Sequence, residues 1–224
     1  MNKTRELSSP LKRGYENIAI LGNGPSLKYL TDSKKKELNN FLVIGTNRII
    51  FDNNLSNFEN MIFAFHERRL FDSKEFIDAL NKTKRDCFFR VENEIFKKSL
   101  DQKYSNLGNY EFNLITLFNK VNLQDINSYL RTFPLPEDLL RNVVLDVAIP
   151  IALIFKPKEI LLFGCDFSYK GQKYFQSSNE TPKLKWEHNE KSEMDWSNFS
   201  NYRFQKIREN FIASGVKIDR YQVN

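Results

Sequence analysis

Asn17-Ile18-Ala19-Ile20-Leu21-Gly22-Asn23-Gly24-Pro25-Ser26-Leu27 is the stretch on which the fold turns. A short, continuous apolar run ending at a glycine is the pattern of a strand buried on both faces, as strands of a parallel sheet are. The two glycines allow close approach of backbone to a neighbour or ligand, and Pro25 suits the first turn of a helix, where its missing N–H costs nothing. The segment therefore predicts strand, tight turn, helix, with the helix running from about Leu27 to Asn39.

Reading outward, the next strand candidates are Phe41-Leu42-Val43-Ile44 and Met61-Ile62-Phe63-Ala64-Phe65, with Cys87-Phe88-Phe89 a shorter one. A helix over Ser73 to Leu80 takes Ser73 as its N-cap. Residues 92–135 are Asn-rich and aromatic with poor periodicity, and no element is placed there. Leu139 to Phe155 carries a helical apolar pattern, which Pro150 is expected to kink. It leads into Glu159-Ile160-Leu161-Leu162-Phe163-Gly164, a second buried strand. The polar stretch from Ser168 to about Asp195 reads as a long loop or lid. Asp195 is the expected cap of a helix carrying Trp196, Phe199, Phe204, Ile207 and Phe211 on one face, ended by Gly215 before a last strand, Val216 to Tyr221. The alternation predicts an α/β fold: a single Rossmann-like domain with a mostly parallel sheet flanked by helices, in which ligands bind at the carboxyl ends of the strands. A polar tail occupies 1–15 and the domain 16–224, with the lid at about 168–195.

The chain has 224 residues, 41% hydrophobic, with 20 Phe, which is material for one substantial core and excludes a disordered chain. Its net charge of +6 comes from interspersed residues of both signs. A basic balance is compatible with a phosphorylated ligand, an anionic membrane face or nucleic acid, but no zinc-finger spacing or RNA-binding signature supports the last. Both cysteines, Cys87 and Cys165, lie in apolar runs as free thiols would in a reducing compartment. No apolar run reaches the roughly 20 residues of a membrane span, and the N-terminus lacks a signal peptide's apolar segment. The expectation is a cytoplasmic protein with peripheral contact at the inner membrane.

Three segments carry candidate chemistry. Gly22, Asn23, Gly24 and Ser26 form a turn whose amides favour phosphate, although a tight turn with no ligand has the same pattern. It is neither a Walker A loop nor the dinucleotide fingerprint. After the second strand, Asn47 offers hydrogen bonds to a base or ribose and Arg48 a charge for phosphate, against the plainer reading of a polar turn. After the buried strand ending at Gly164, the loop carries Asp166, Ser168, Tyr169, Lys170, Lys173 and Tyr174. Its hydroxyls and ammonium groups suit a departing phosphate, whereas Asp166 is read as orienting the loop through backbone amides. The two histidines are His66, at the end of the third strand, and His188 in the polar stretch. Either titrates near neutral pH, as a general base must, though a histidine in a polar loop is more often inert. No His, Cys or carboxylate cluster has metal-ligand spacing, so no metal and no cofactor is expected.

Taken together, Ile20 to Leu27, Asn47 with its strand, Phe63 to Phe71, and Arg141 through Tyr174 resemble the bacterial lipooligosaccharide sialyltransferases of glycosyltransferase family 42. They are more distantly similar to hydroxymethylpterin diphosphokinase-like proteins, which share the Gly-x-Gly-Pro-Ser opening. The resemblance covers roughly half the chain and implies a GT-A-like variant of the fold. It implies inverting, metal-independent transfer from a CMP-activated donor, which is a substrate and not a cofactor, to a glycan or lipooligosaccharide acceptor, by a homo-oligomer. By position, Asn23 and Asn47 would hold the nucleotide, Tyr174 the phosphate, His188 would deprotonate the acceptor, and Arg141 would pair with an acidic sugar.

The chain departs from the family at three places. Ser168 stands for a second phosphate tyrosine, for which the adjacent Tyr169 is the available substitute; His66 stands for an asparagine; and Val143-Val144-Leu145 stands for a hydroxyl-bearing triplet after the arginine. Those departures keep open a donor other than sialic acid. They also leave a pterin-type diphosphokinase using ATP and Mg²⁺, and a catalytically inactive nucleotide-binding protein, as alternatives.

Overall fold

A computed structural model describes residues 14–66, 70, 73–83, 85–89, 110–111, 142–167 and 190–221. Among these residues seven strands form one sheet: β1 (Asn17–Leu21), β2 (Leu42–Thr46), β3 (Met61–Phe65), β4 (Cys87–Phe89), β5 (Tyr110–Glu111), β6 (Glu159–Phe163) and β7 (Lys217–Arg220). Their spatial order is β5-β4-β3-β2-β1-β6-β7. Every pairing is parallel, so the expected "mostly parallel" sheet is wholly so among the described strands. This is an α/β fold with helices on both faces.

β1 sits centrally because every position from Ile18 to Leu21 is fully buried and serves one face or the other. Ile18 and Ile20 point with Leu42, Ile44, Ile62, Ile160 and Leu162 into an aliphatic layer. Ala19 and Leu21 point with Val43, Phe63, Phe65 and Phe89 into the opposite, phenylalanine-rich layer. There Phe65 meets Phe76 edge-on at 4.9 Å and Phe89 at 5.1 Å between ring centroids. Alternate side chains of a strand face opposite ways, so a strand apolar at every position needs helices on both sides.

The phenylalanine layer is covered by α1 (Asp32–Leu38) and α2 (Lys74–Lys82). Ser73 caps α2 as expected, its hydroxyl accepting from Phe76 N at 3.1 Å. The helix expected over 27–39 is divided: a five-residue 3-10 turn, Pro25–Tyr29, precedes α1, whose N-cap is Thr31. The aliphatic layer is covered by α3 (Ile149–Ile154) and α4 (Glu190–Ala213). The expected kink at Pro150 takes the form of a π-helical turn, Val144–Ala148, running straight into α3. Proline has no N–H to continue the ladder, and a wider turn before it absorbs the mismatch.

α4 begins at Glu190, so Asp195 lies inside the helix, not at its cap, and the last residues of the expected loop are helical. Gly215, at φ +81°, ends the helix as expected. Both α3 and α4 lead through short turns into parallel strands, β6 and β7, and must therefore run antiparallel to them. Their N-terminal ends lie at the sheet's carboxyl edge.

Candidate functional site

The strand order reverses between β1 and β6: the chain winds outward from β1 to β5, then returns to β1's other side. In open α/β sheets such a switch point opens a crevice at the carboxyl edge. Here the turns after β1 and β2, the end of β3 and the start of the turn after β6 stand at that edge.

The β1 and β6 turns are locked together. Gly22 N donates to Phe163 O and Gly24 N to Gly164 O, each at 2.7 Å. Ser26 N donates to Asp166 Oδ2 at 3.0 Å. A Cβ on Gly22 would collide with Gly164 O and lie 2.8 Å from Cys165 Sγ; one on Gly24 would overlap the Asp166 carboxylate and lie 2.7 Å from Gly164 O. Gly24 has φ −71°, so glycine is required there by space and not by conformation. The close approach foreseen in the sequence is thus made to the β6 turn, and an internal carboxylate occupies the Ser26 amide foreseen for phosphate. Asp166 has the amide-bonding role read from its position. Burial, and then the neighbouring Asp166 charge, raise the Cys165 thiol above its ordinary pKa.

Asn23 is fixed at both ends of its amide. Its Nδ2 donates to Thr46 Oγ1 at 3.1 Å, and its Oδ1 accepts from Arg48 N at 3.0 Å. Thr46 Oγ1 in turn donates to Leu21 O at 2.9 Å. The relay ties the ends of β1 and β2 and presets the Asn23 side chain. Thr46 was missed in the sequence because a threonine in a strand reads as β-propensity; only its position one residue before Asn47 hinted at more.

Asn47 has φ +41°, in the left-handed region that asparagine tolerates better than other non-glycine residues. Its Oδ1 accepts from His66 N at 3.0 Å, which brings the ends of β2 and β3 together. His66 enters this link through its backbone. Arg48 is only 3% exposed, and its backbone N–H is what anchors Asn23. The structure therefore gathers Gly22, Asn23, Gly24, Ser26, Asn47, Arg48 and His66 at one edge. Arg141, Ser168, Tyr169, Tyr174 and His188 lie outside the described residues. Among the described residues no group of three His, Cys, Asp or Glu side chains is placed to hold a metal. No helix among them is long and apolar enough to cross a membrane.

A further polar cluster stands where α3's π-turn meets α4. Asp146 and Arg203 form a buried two-point ion pair, with Arg203 NH2 to Asp146 Oδ1 at 2.6 Å and NH1 to Oδ2 at 3.1 Å. Asp146 Oδ2 also accepts from Asn142 N at 2.7 Å. Asp146 was hidden inside an apolar helical run in the sequence, and Arg203 inside an amphipathic one.

No protein-family model matches the chain, and no curated protein matches it. Solved structures similar to the chain include two sialyltransferases. One is the monofunctional α-2,3-sialyltransferase Cst-I from Campylobacter jejuni, with a TM-score of 0.53 and 18% identity over 98% of this chain and 79% of that one. The other is the sialyltransferase CstII from Campylobacter jejuni in complex with a substrate analogue, cytidine-5'-monophosphate, with a TM-score of 0.52 and 18% identity over 92% and 79%. At this identity the likeness is one of fold: the chain has the α/β architecture of these sialyltransferases.

Proposed function

We propose that the chain is a glycosyltransferase that moves a sugar, sialic acid or another acidic sugar, from a CMP-activated donor to a glycan acceptor by inverting, metal-independent displacement. The observation that carries this reading is the convergence of Asn23 and Asn47, with preset amides, on the switch-point edge of a sialyltransferase-like fold. The two amides would read the cytidine and ribose, for which carboxamides offer both donors and acceptors. In the reaction the acceptor hydroxyl attacks the anomeric carbon while the bond to the phosphate oxygen breaks and CMP departs. His188 would take the hydroxyl proton, Tyr174 and Tyr169 would donate hydrogen bonds to the leaving phosphate, beside Ser168, and Arg141 would pair with the sugar's carboxylate. The acceptor would be a lipooligosaccharide met at the inner membrane face, and the working unit a homo-oligomer.

CMP release from a panel of CMP-sugars tests the reading. The expected result is turnover of at least one donor, lowered at least a hundredfold by His188→Ala and tenfold by Tyr174→Phe. No release from any donor, with no effect of either substitution, overturns it.

One observation favours a second reading, a catalytically inactive protein that keeps the turn for folding. Packing against Gly164 and Asp166 accounts for both glycines without any ligand. A thermal-shift screen of CMP, CDP, UDP, GDP and ATP separates the two, because a ligand bound only by the native state raises the melting temperature. The transferase reading expects stabilisation by CMP. A pterin-type diphosphokinase would instead respond to ATP with Mg²⁺, which needs carboxylate ligands, and Asp166 is already bonded to Ser26.

A further inference from the structure

We propose that Arg203 is a positioning residue, which through Asp146 and Asn142 sets how the two helices entering the carboxyl edge sit relative to one another. The proposal rests on the transferase reading for its effect on turnover. Asn142 opens the π-turn, with its Oδ1 accepting from Val144 N at 2.8 Å and Leu145 N at 3.2 Å. Its own N–H is held by Asp146, which Arg203 grips from α4. Both side chains of the ion pair are at most 5% exposed.

Upstream on α4, Ser197 Oγ donates to Phe167 O at 2.5 Å and Asn201 Nδ2 to the same oxygen at 3.2 Å. Asn201 Oδ1 accepts from Arg220 of β7 at 3.0 Å. α4 therefore fixes the end of the β6 turn with one set of side chains and the entry to the π-turn with another. In sequence, Asn142 directly follows Arg141, and α4 begins two residues after His188. On one side the clamp reaches the residue next to Arg141, and on the other it holds the helix that follows His188 in sequence.

Stability alone does not explain such a clamp. Two charges taken out of water recover their desolvation cost only with complete hydrogen bonding, and well-packed apolar replacements are often neutral or stabilising. Arg203 Nε has no hydrogen-bond acceptor among the described residues, so compensation is incomplete. What an apolar pair would not reproduce is the two-point geometry of guanidinium on carboxylate, which fixes distance and angle together.

The experiment uses the double variant Asp146→Asn/Arg203→Met, which leaves no orphaned charge and keeps an acceptor for the Asn142 N–H, and the conservative Arg203→Lys. The double variant is expected to melt no lower than wild type, yet to turn over donor with kcat at least tenfold lower. Arg203→Lys, which keeps the charge but not the fork, is expected to fall between. A double variant with wild-type melting temperature and kcat within twofold of wild type overturns the proposal. If wild type turns over no donor, it is the functional reading that fails, and hydrogen exchange then judges the clamp alone. Faster exchange at Asn142, Val144 and Leu145 in the double variant supports it, and unchanged exchange overturns it.

Discussion

At the scale of single residues the most consequential atom is a hydroxyl. Thr46 is fully buried, and its Oγ1 both receives Asn23 and donates to Leu21 O. Thr46→Val keeps the shape but leaves two buried polar partners unmatched, a loss of about 1–3 kcal/mol. Urea denaturation should show that loss, whereas Thr46→Ser, which retains the hydroxyl, should recover at least half of it. Equal losses in the two variants would mean that the methyl, and not the relay, matters. Residue-scale features of this kind were the least legible in the sequence. Asn23 and Asn47 were found because they follow apolar runs, but neither Thr46 nor the Asp146–Arg203 pair announces itself, since each depends on a partner far along the chain. The Ser26 amide was misjudged for the same reason: nothing local says that a carboxylate 140 residues later will reach it.

At the scale of elements, apolar runs between glycines and polar turns located β1, β2, β3, β4 and β6, because strands buried on both faces have no polar alternation to confuse the pattern; β7, in which only Ile218 is buried, was located by the helix-ending Gly215 before it. β5 was not found: it has two residues and sits in an aperiodic stretch, so its pairing with Cys87 and Phe88 comes from the neighbouring edge and not from its own sequence. The single helix expected over 27–39 is interrupted at Leu30 and restarted by the Thr31 cap, and the last helix begins at Glu190, five residues before the expected cap at Asp195. The tight burial of β4 and of the β6 turn has a chemical consequence. Both thiols, Cys87 and Cys165, are raised above their ordinary pKa, chiefly by burial and then by the adjoining Asp86 and Asp166. A raised pKa means that the folded state keeps its thiol protons when the unfolded chain has lost them, so this contribution to stability is complete below the unfolded value and declines as pH rises past it. Denaturation midpoints should therefore fall above about pH 9, by up to about 1.4 kcal/mol per thiol per pH unit. A thiol reagent at pH 8 should label neither cysteine until the protein unfolds; rapid labelling of the native protein would contradict the burial.

At the scale of the whole molecule, the sheet is closed by a pairing between distant parts of the chain. Ile18 lies beside Leu42 on one side and Ile160 on the other. The fragment 1–157 would hold β1 to β5 with the central strand open on one edge and the aliphatic layer lacking β6, β7 and α4. It should show no cooperative urea transition, while the full chain should show one; a cooperative transition in the fragment would mean that β1 to β5 form an independent unit. A bare strand edge is a template for pairing with other chains.

The same topology has a consequence in time. At translation rates of about 5–20 residues per second, β1 leaves the ribosome roughly 7–28 s before β6 is available to cover it. During that interval the segment Ile18 to Leu21 offers an unpaired, wholly apolar edge to other chains, and a holding chaperone that shields it should raise the yield of folded protein. The central strand that makes the crevice possible also makes the polypeptide a natural chaperone client at birth.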